Sequence, residues 1–216
     1  MSNPEEQILK IAEKIPKEEN LPEDLKEALK WYQEAQIMWG QGRSLDALSR
    51  YEASLEVFLK HGRFREAANA SEKIGDIYFW RGNFQKALKP YKMALDICEE
   101  FEDEIGAAIM SEKIVYVFQK TNEPERALPY LYRSLEIAEK YGDAHRAARA
   151  LVGIGDVNRY KGKLDVALEA YELAHKIYKG MGSREQAELI SNTIQSLRQQ
   201  MNSGEKPSEG VGEGNS

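Results

Sequence analysis

Apolar and polar residues follow two superimposed periods along this chain, one of three to four residues and one of 40 residues. The short period is that of an α-helix with one buried face. The long period is clearest in the dipeptide Ala-Leu, which occurs at residues 47–48, 87–88, 127–128 and 167–168. A fixed period of this length is typical of a repeat protein, in which each unit buries its apolar face by stacking on the next unit.

Each 40-residue unit contains two apolar stripes with helical spacing. In the second unit the first stripe runs from Ala67 to Tyr78 and the second from Phe84 to Cys98, with Gly82 between them. Glycine suits the left-handed backbone that closes a helix, because a β-carbon is penalised there. The other units hold equivalent residues at this turn: Gly42, Asn122 and Gly162. Every unit is therefore predicted to be an antiparallel helix pair.

The spacing within the units resembles the tetratricopeptide repeat. The resemblance rests on six residues of the second unit: Gly75, Tyr78, Gly82, Ala87, Tyr91 and Ala94. The fourth unit repeats five of these positions: Gly155, Gly162, Ala167, Tyr171 and Ala174. The usual unit of that family has about 34 residues, so this chain resembles a long-unit form. The resemblance implies an all-α fold, a right-handed α-solenoid of antiparallel helix pairs with N- and C-terminal capping helices.

Glycine inside a helix requires an explanation, because it costs about 1 kcal/mol relative to alanine. We expect Gly75 and Gly155 to allow close approach of the paired helix at Ala87 and Ala167. We expect the tyrosines of the second helices to fill the space between successive units.

Four segments are predicted along the chain. Residues 1–22 form an N-terminal capping helix and a break, since Ile8, Ile11 and Ile15 make a short apolar stripe. Residues 23–182 form four repeats, and residues 183–201 form a C-terminal capping helix with one polar face. Residues 202–216 consist mainly of Gly, Ser and Glu and are predicted to be disordered.

Composition excludes several classes of function. The net charge of −6 lacks the basic stripe that nucleic acid requires, so no nucleic-acid partner is expected. The single cysteine excludes an internal disulfide framework and favours a reducing compartment. No apolar run approaches the length of a membrane span. We expect a cytoplasmic protein that does not insert into membranes.

The sequence contains no convincing catalytic or metal-binding constellation. Gly153-Ile154-Gly155 begins like a dinucleotide fingerprint but lies within a predicted helix and follows no strand. The three histidines do not occur at metal-ligand spacing. We therefore expect no enzymatic activity, no metal and no cofactor.

The resemblance implies that the first helices of successive units line a concave groove that holds a peptide of a partner protein. The residues carried over to that groove are Tyr32, Gln36, Trp39, Glu72, Asp76, Phe79, Trp80, Glu112, Tyr116, Asp156, Arg159 and Tyr160. Large aromatic side chains on a rigid wall are typical binding anchors. The same aromatics could equally pack against the neighbouring unit, with Trp39 and Phe79 the stronger candidates for ligand contact.

The predicted function is that of a non-enzymatic adaptor or scaffold. Its ligand would be a protein segment with apolar or aromatic anchors and with Lys or Arg opposite the acidic groove residues. Two alternatives stay open: a self-assembling scaffold that forms homo-oligomers, and a regulator that changes curvature when it binds a signalling peptide.

Overall fold

The computed structural model describes residues 21–203. The predicted N-terminal capping helix over residues 1–20 and the predicted tail over residues 204–216 lie outside these described residues. The described part consists of nine α-helices and one short 3₁₀ helix, with no strand among them. The α-helices are α1 Glu23–Gly40, α2 Ser44–Lys60, α3 Phe64–Trp80, α4 Phe84–Glu100, α5 Glu104–Lys120, α6 Leu128–Tyr141, α7 Ala144–Tyr160, α8 Leu164–Gly180 and α9 Arg184–Ser203.

The backbone conformation at the turns confirms the predicted ends of the first helices. Gly42, Gly82 and Gly162 have positive φ values of 77°, 76° and 70°, and Asn122 has a φ of 55°. Glu102 also has a positive φ of 55°, at a register position where other units have glycine. The chain thus reverses after each helix, and consecutive helices pack against one another.

Aspartates cap the first helices of the third and fourth units, as their position before an apolar run predicts. The Asp103 carboxylate accepts a hydrogen bond of 2.9 Å from the Gly106 amide, and Asp143 accepts one of 3.0 Å from the Arg146 amide. Helix α5 lines both cavities described below, and α7 lines one of them.

The third unit departs from the others at the start of its second helix. A 3₁₀ helix at Pro124–Ala127 precedes α6, which begins only at Leu128. Pro124 stands in the first turn, where a missing N–H is tolerated, whereas Pro129 follows one residue inside α6. Two prolines so close together deprive the first turns of hydrogen-bond donors and therefore shorten the α-helix.

The repeated alanines are almost completely buried. The alanines of the four Ala-Leu pairs, Ala47, Ala87, Ala127 and Ala167, are at most 1% exposed. Helix α9 buries Ala187, Ile190, Ile194 and Leu197 and leaves its other face in solvent, as a terminal helix of a stack requires. The fold is an all-α solenoid of antiparallel helix pairs.

The interior glycines serve a different contact from the one we expected. A β-carbon on Gly75 would lie 2.5 Å from two ring carbons of Tyr91, and one on Gly155 would lie 2.6 Å from the Tyr171 ring. Glycine is thus required by the tyrosine ring of its own helix pair. The paired helix therefore approaches the glycine most closely at Tyr91 and Tyr171 and not at Ala87 and Ala167. Both tyrosines also share a hydrophobic cluster with residues of the following unit, such as Ile114 and Ile190.

Several contacts within the helix pairs recur every 80 residues. The Tyr91 hydroxyl donates to Asp76 at 2.8 Å, and the Tyr171 hydroxyl donates to Asp156 at 2.6 Å. Burial, together with the bonded carboxylate, raises the pKa of both tyrosines far above the ordinary value. In the first and third units an ion pair joins the two helices instead. Lys60 contacts Asp24 at 2.8 Å, and Lys140 contacts Glu104 at 2.6 Å.

Candidate peptide-binding groove

A groove of about 800 Å³ lies between α3 and α5. The end of α4 and the turn after it form the floor. We refer to it as the α3–α5 groove, and its apolar lining includes Phe64, Ala68, Ile97, Phe101, Ile105, Ile109 and Met110. Polar residues at its rim include Arg65, Asn69 and Glu72.

Three large apolar side chains of this groove are exposed to solvent. Phe101 is 53% exposed, Ile105 56% and Ile109 39%. Ile105 and Ile109 are four residues apart and therefore share one face of α5. Contiguous exposed apolar surface inside a concave feature is typical of a binding site.

Sequence reasoning missed these residues because it followed aromatic side chains at positions carried over from the family. A comparison between units would have found them. At the positions of Ile105 and Ile109 the second unit has Arg65 and Asn69, and the fourth has His145 and Arg149. The third unit thus has isoleucines on its outer face where its two neighbours have polar side chains.

A second cavity, of about 200 Å³, lies between α5 and α7. We refer to it as the α5–α7 cavity. It is lined by predicted and unpredicted residues together: Glu112, Tyr116, Gln119, Ser134, Arg146, Arg149, Asp156 and Tyr178 among others. Helix α5 is the wall that this cavity shares with the α3–α5 groove.

The acidic residues predicted for the groove of α3 are already paired with a cation of the next unit. Lys113 on α5 contacts Glu72 at 3.0 Å and also contacts Asp76. Burial by itself would lower the pKa of Lys113, but the hydrogen bond to Asp76 and the nearby carboxylates raise it. Glu72 and Asp76 therefore join two repeats and do not stand as unpaired negative charges.

The same arrangement recurs between the third and fourth units. Arg146 contacts Glu112 at 2.8 Å and Arg149 contacts it at 3.2 Å. Arg149 also donates to the hydroxyl of Tyr116. In both junctions the acid belongs to the earlier unit and the cation to the later one. We refer to these contacts as the inter-repeat ion pairs.

The fourth unit supplies the last predicted polar residues. Asp156 accepts the hydrogen bond from Tyr171, and desolvation raises the pKa of its carboxyl. Arg159 lies close enough to oppose that rise electrostatically. Asp156 is thus held by its own helix pair while it lines the α5–α7 cavity.

The predicted aromatics fall into two groups. Trp80 is 77% exposed, Tyr160 58% and Tyr116 44%. Phe79 is half-buried and packs edge-to-face on Phe84, with ring centroids 5.2 Å apart. Trp39 is half-buried against the cluster that contains Leu48 and Tyr51. Tyr32 likewise packs on Tyr51 at 5.3 Å, whereas Gln36 is exposed.

The structure therefore brings together only part of the predicted set. Glu112, Tyr116 and Asp156 line the α5–α7 cavity, and Glu72 lines the α3–α5 groove. The remaining predicted residues line neither cavity: Tyr32, Gln36, Trp39, Asp76, Phe79, Trp80, Arg159 and Tyr160.

Two further properties bear on the chemistry of residues 21–203. No group of three or more His, Cys, Asp or Glu side chains in this range is arranged to hold a metal ion. No helix in this range is long and apolar enough to cross a bilayer.

Known sequence families match two overlapping parts of the chain. The family described as Tetratricopeptide repeat matches residues 106–180, and the family described as Soluble NSF attachment protein, SNAP, matches residues 11–117. The chain contains tetratricopeptide repeats. The tetratricopeptide match begins within α5 and ends with α8, so it covers the helices around the α5–α7 cavity.

A curated relative of this tetratricopeptide repeat protein is the Tonsoku-like protein of Bos taurus, with 24% identity over 176 residues. The match covers 73% of the chain but only 13% of that relative. Two solved structures share the fold. The apo form of RapI has a TM-score of 0.68 at 17% identity, over 82% of this chain and 65% of that one. Aspartyl phosphate phosphatase F from Bacillus subtilis has a TM-score of 0.61 at 13% identity, over 85% and 51%.

Proposed function

We propose that this tetratricopeptide repeat protein is a non-enzymatic adaptor that binds a peptide segment of a partner protein along α5. The observation that supports the proposal is the exposed apolar lining of the α3–α5 groove, formed by Phe101, Ile105 and Ile109. A partner that covers these side chains removes apolar surface from water, which is the main source of affinity in such grooves.

The electrostatics of the groove favour an apolar ligand over a basic one. Glu72 and Glu112 each contact a cation from the next unit, so a ligand lysine would have to displace a contact that already exists. Rigid helix pairs also limit the ordering cost of binding to the ligand itself. We therefore propose that apolar side chains of the ligand anchor it, with the inter-repeat ion pairs holding the two walls in place.

The test compares the wild-type chain with the double variant Ile105→Gln, Ile109→Gln. Glutamine keeps a helix-compatible side chain of similar length but removes the apolar contact. The matched control is Leu189→Gln on α9, because Leu189 is a single aliphatic residue that is 65% exposed and lies outside the groove. Far-UV circular dichroism and thermal unfolding should show that the repeats stay folded in all three proteins, since the replaced side chains are exposed.

Proteins captured from native lysate by each variant are identified by mass spectrometry, and the bound segment is then titrated in purified form. Loss of about 2 kcal/mol of apolar contact corresponds to roughly 30-fold weaker binding by the double variant. The control should bind as the wild type does. Equal capture and equal affinity for all three proteins would refute a binding site at this groove.

A further inference from the structure

We propose that residues 5–15 of this same chain are a ligand of the α3–α5 groove and occupy it in the absence of a partner. The inference rests on the proposed function only in that it names an occupant of the same groove. It follows from where the described chain begins, from the pattern of the preceding sequence and from the charge at the rim of the groove.

The described chain begins beside the groove. Leu21 packs against the hydrophobic cluster that contains Ile97, and Phe64 and Ala68 pack against the same cluster. These last three residues also line the α3–α5 groove. The preceding residues therefore leave the described part of the chain next to one end of the groove.

The intervening segment is long enough to reach it. Five residues, 16–20, separate Leu21 from the apolar stripe, and five extended residues span up to about 17 Å. Packed helices lie about 8–10 Å apart, so this length covers the step from α1 across α3. Pro16 at the start of the segment favours an extended conformation there and would end a preceding helix.

The sequence of residues 5–15 complements the groove. Ile8, Ile11, Ala12 and Ile15 recur at intervals of three and four residues, so a helix would present all four on one face. The groove presents Ile105, Ile109 and Phe101 as its exposed apolar surface. Docking an amphipathic helix in an apolar groove is a common mode of peptide recognition.

The charges at the groove rim fit this occupant as well. Among residues 21–203, Arg65 forms no ion pair, whereas the nearby Glu66 contacts Arg63 and Glu72 contacts Lys113. The connecting segment has Glu18 and Glu19 directly after its only lysine. A chain that passes from Leu21 into the groove brings these carboxylates past Arg65.

The alternative position for residues 5–15 is the open side of α1, where a capping helix was expected. The large hydrophobic residue that α1 exposes is Ile37, which is 62% exposed. Ile37 lies 14 residues after the start of α1, or about 21 Å along the helix axis. The α3–α5 groove offers three such residues, and Leu21 packs against a cluster that shares Phe64, Ala68 and Ile97 with the groove lining, so we assign the segment to the groove.

Hydrogen–deuterium exchange of the full chain, read by mass spectrometry, tests this inference without any external partner. We compare the wild type, the double variant Ile105→Gln, Ile109→Gln and the control Leu189→Gln. In the wild type and the control, amides of residues 5–15 should exchange at least about tenfold more slowly than in a synthetic peptide of residues 1–20. In the double variant their exchange should return to within about twofold of the peptide.

Three outcomes would overturn the inference. Exchange of residues 5–15 at the peptide rate in the wild type would show that the segment occupies nothing. Protection that persists in the double variant would place the segment elsewhere, such as on α1. Protection that disappears on dilution would mean that the groove takes the segment of a second copy. Equal partner capture by all three proteins, with segment protection lost in the double variant, would contradict the proposed function alone.

Discussion

Replacing Gly75 by alanine tests whether the second repeat is closed by the contact between this glycine and Tyr91. Helix propensity alone predicts a gain, because alanine is favoured over glycine by about 1 kcal/mol inside a helix. The structure predicts a loss. A β-carbon at residue 75 would lie 2.5 Å from Cδ1 and from Cε1 of Tyr91, closer than carbon atoms can approach.

The size of the loss depends on how far the ring can move. Tyr91 is 2% exposed, and its hydroxyl is fixed by the 2.8 Å hydrogen bond to Asp76, so the ring is held at both ends. Overpacking in such a core costs about 1–3 kcal/mol. After the gain in helix propensity is subtracted, the net destabilisation should reach up to about 2 kcal/mol.

Guanidinium unfolding followed by far-UV circular dichroism measures the change, and hydrogen exchange of α3 and α4 localises it, since repeat stacks can unfold in parts. The matched control is Gly40→Ala at the end of α1, where a β-carbon meets no atom within 4 Å. Its stability should change by less than about 0.5 kcal/mol.

The third repeat supplies a compensating pair. At the positions of Gly75 and Tyr91 it has Val115 and Leu131. The larger, β-branched valine in place of glycine therefore occurs together with a leucine, which is smaller than tyrosine. The double variant Gly75→Val, Tyr91→Leu should therefore be more stable than Gly75→Val alone. If Gly75→Ala proves as stable as the wild type or more so, the close contact does not constrain the helix pair and this reasoning is wrong.

Three further results are expected. The pKa of Asp24, lowered to about 2 mainly by hydrogen bonds to His61 and Lys60, lies below its unfolded value of 3.8. The stabilising contribution of Asp24 is therefore complete above about pH 4 and lost as the pH falls towards 2. A carboxyl NMR titration of the wild type and of Lys60→Ala should show a higher titration midpoint for Asp24 in the variant. Lys113→Gln removes the closer of the two lysines that contact Asp76, and Lys73 remains at 3.7 Å. The free energy of unfolding should fall by about 1–3 kcal/mol, less than for a fully buried pair because the Lys113 side chain is 25% exposed; an unchanged denaturation midpoint would contradict this. Burial raises the pKa of Cys98 to about 11, so iodoacetamide at pH 8 should alkylate the folded chain slowly and the denatured chain rapidly.

The period of 40 residues was sufficient to predict the fold because local signals and the long period agree. Gly82 and its equivalents mark each turn, and the alanine of each Ala-Leu pair marks each close contact. The 3₁₀ start of the second helix in the third unit was not anticipated, although Pro124 and Pro129 together remove the donors that an α-helix needs there.

The candidate site was harder to predict because side-chain pairing depends on neighbours in space. The sequence shows that Glu72 and Glu112 are acidic, but not that Lys113 and Arg146 from the next unit contact them. A paired acid and an unpaired acid look identical in sequence. The expectation of a basic ligand therefore treated these acids as unpaired, although cations of the next unit contact them. The isoleucines of α5 were visible only as a deviation between units.

The inter-repeat ion pairs are directional, because the acid lies in the earlier unit and the cation in the later one. Two junctions, between the second and third and between the third and fourth units, each join a carboxylate on the preceding helix pair to a cation on the following one. At the position of Glu72, the last helix α9 has Asn192, and at the position of Lys113 the first helix α1 has Gln33. The two ion-paired junctions therefore lie in the middle of the described stack, and these two positions of its outermost helices carry amides instead.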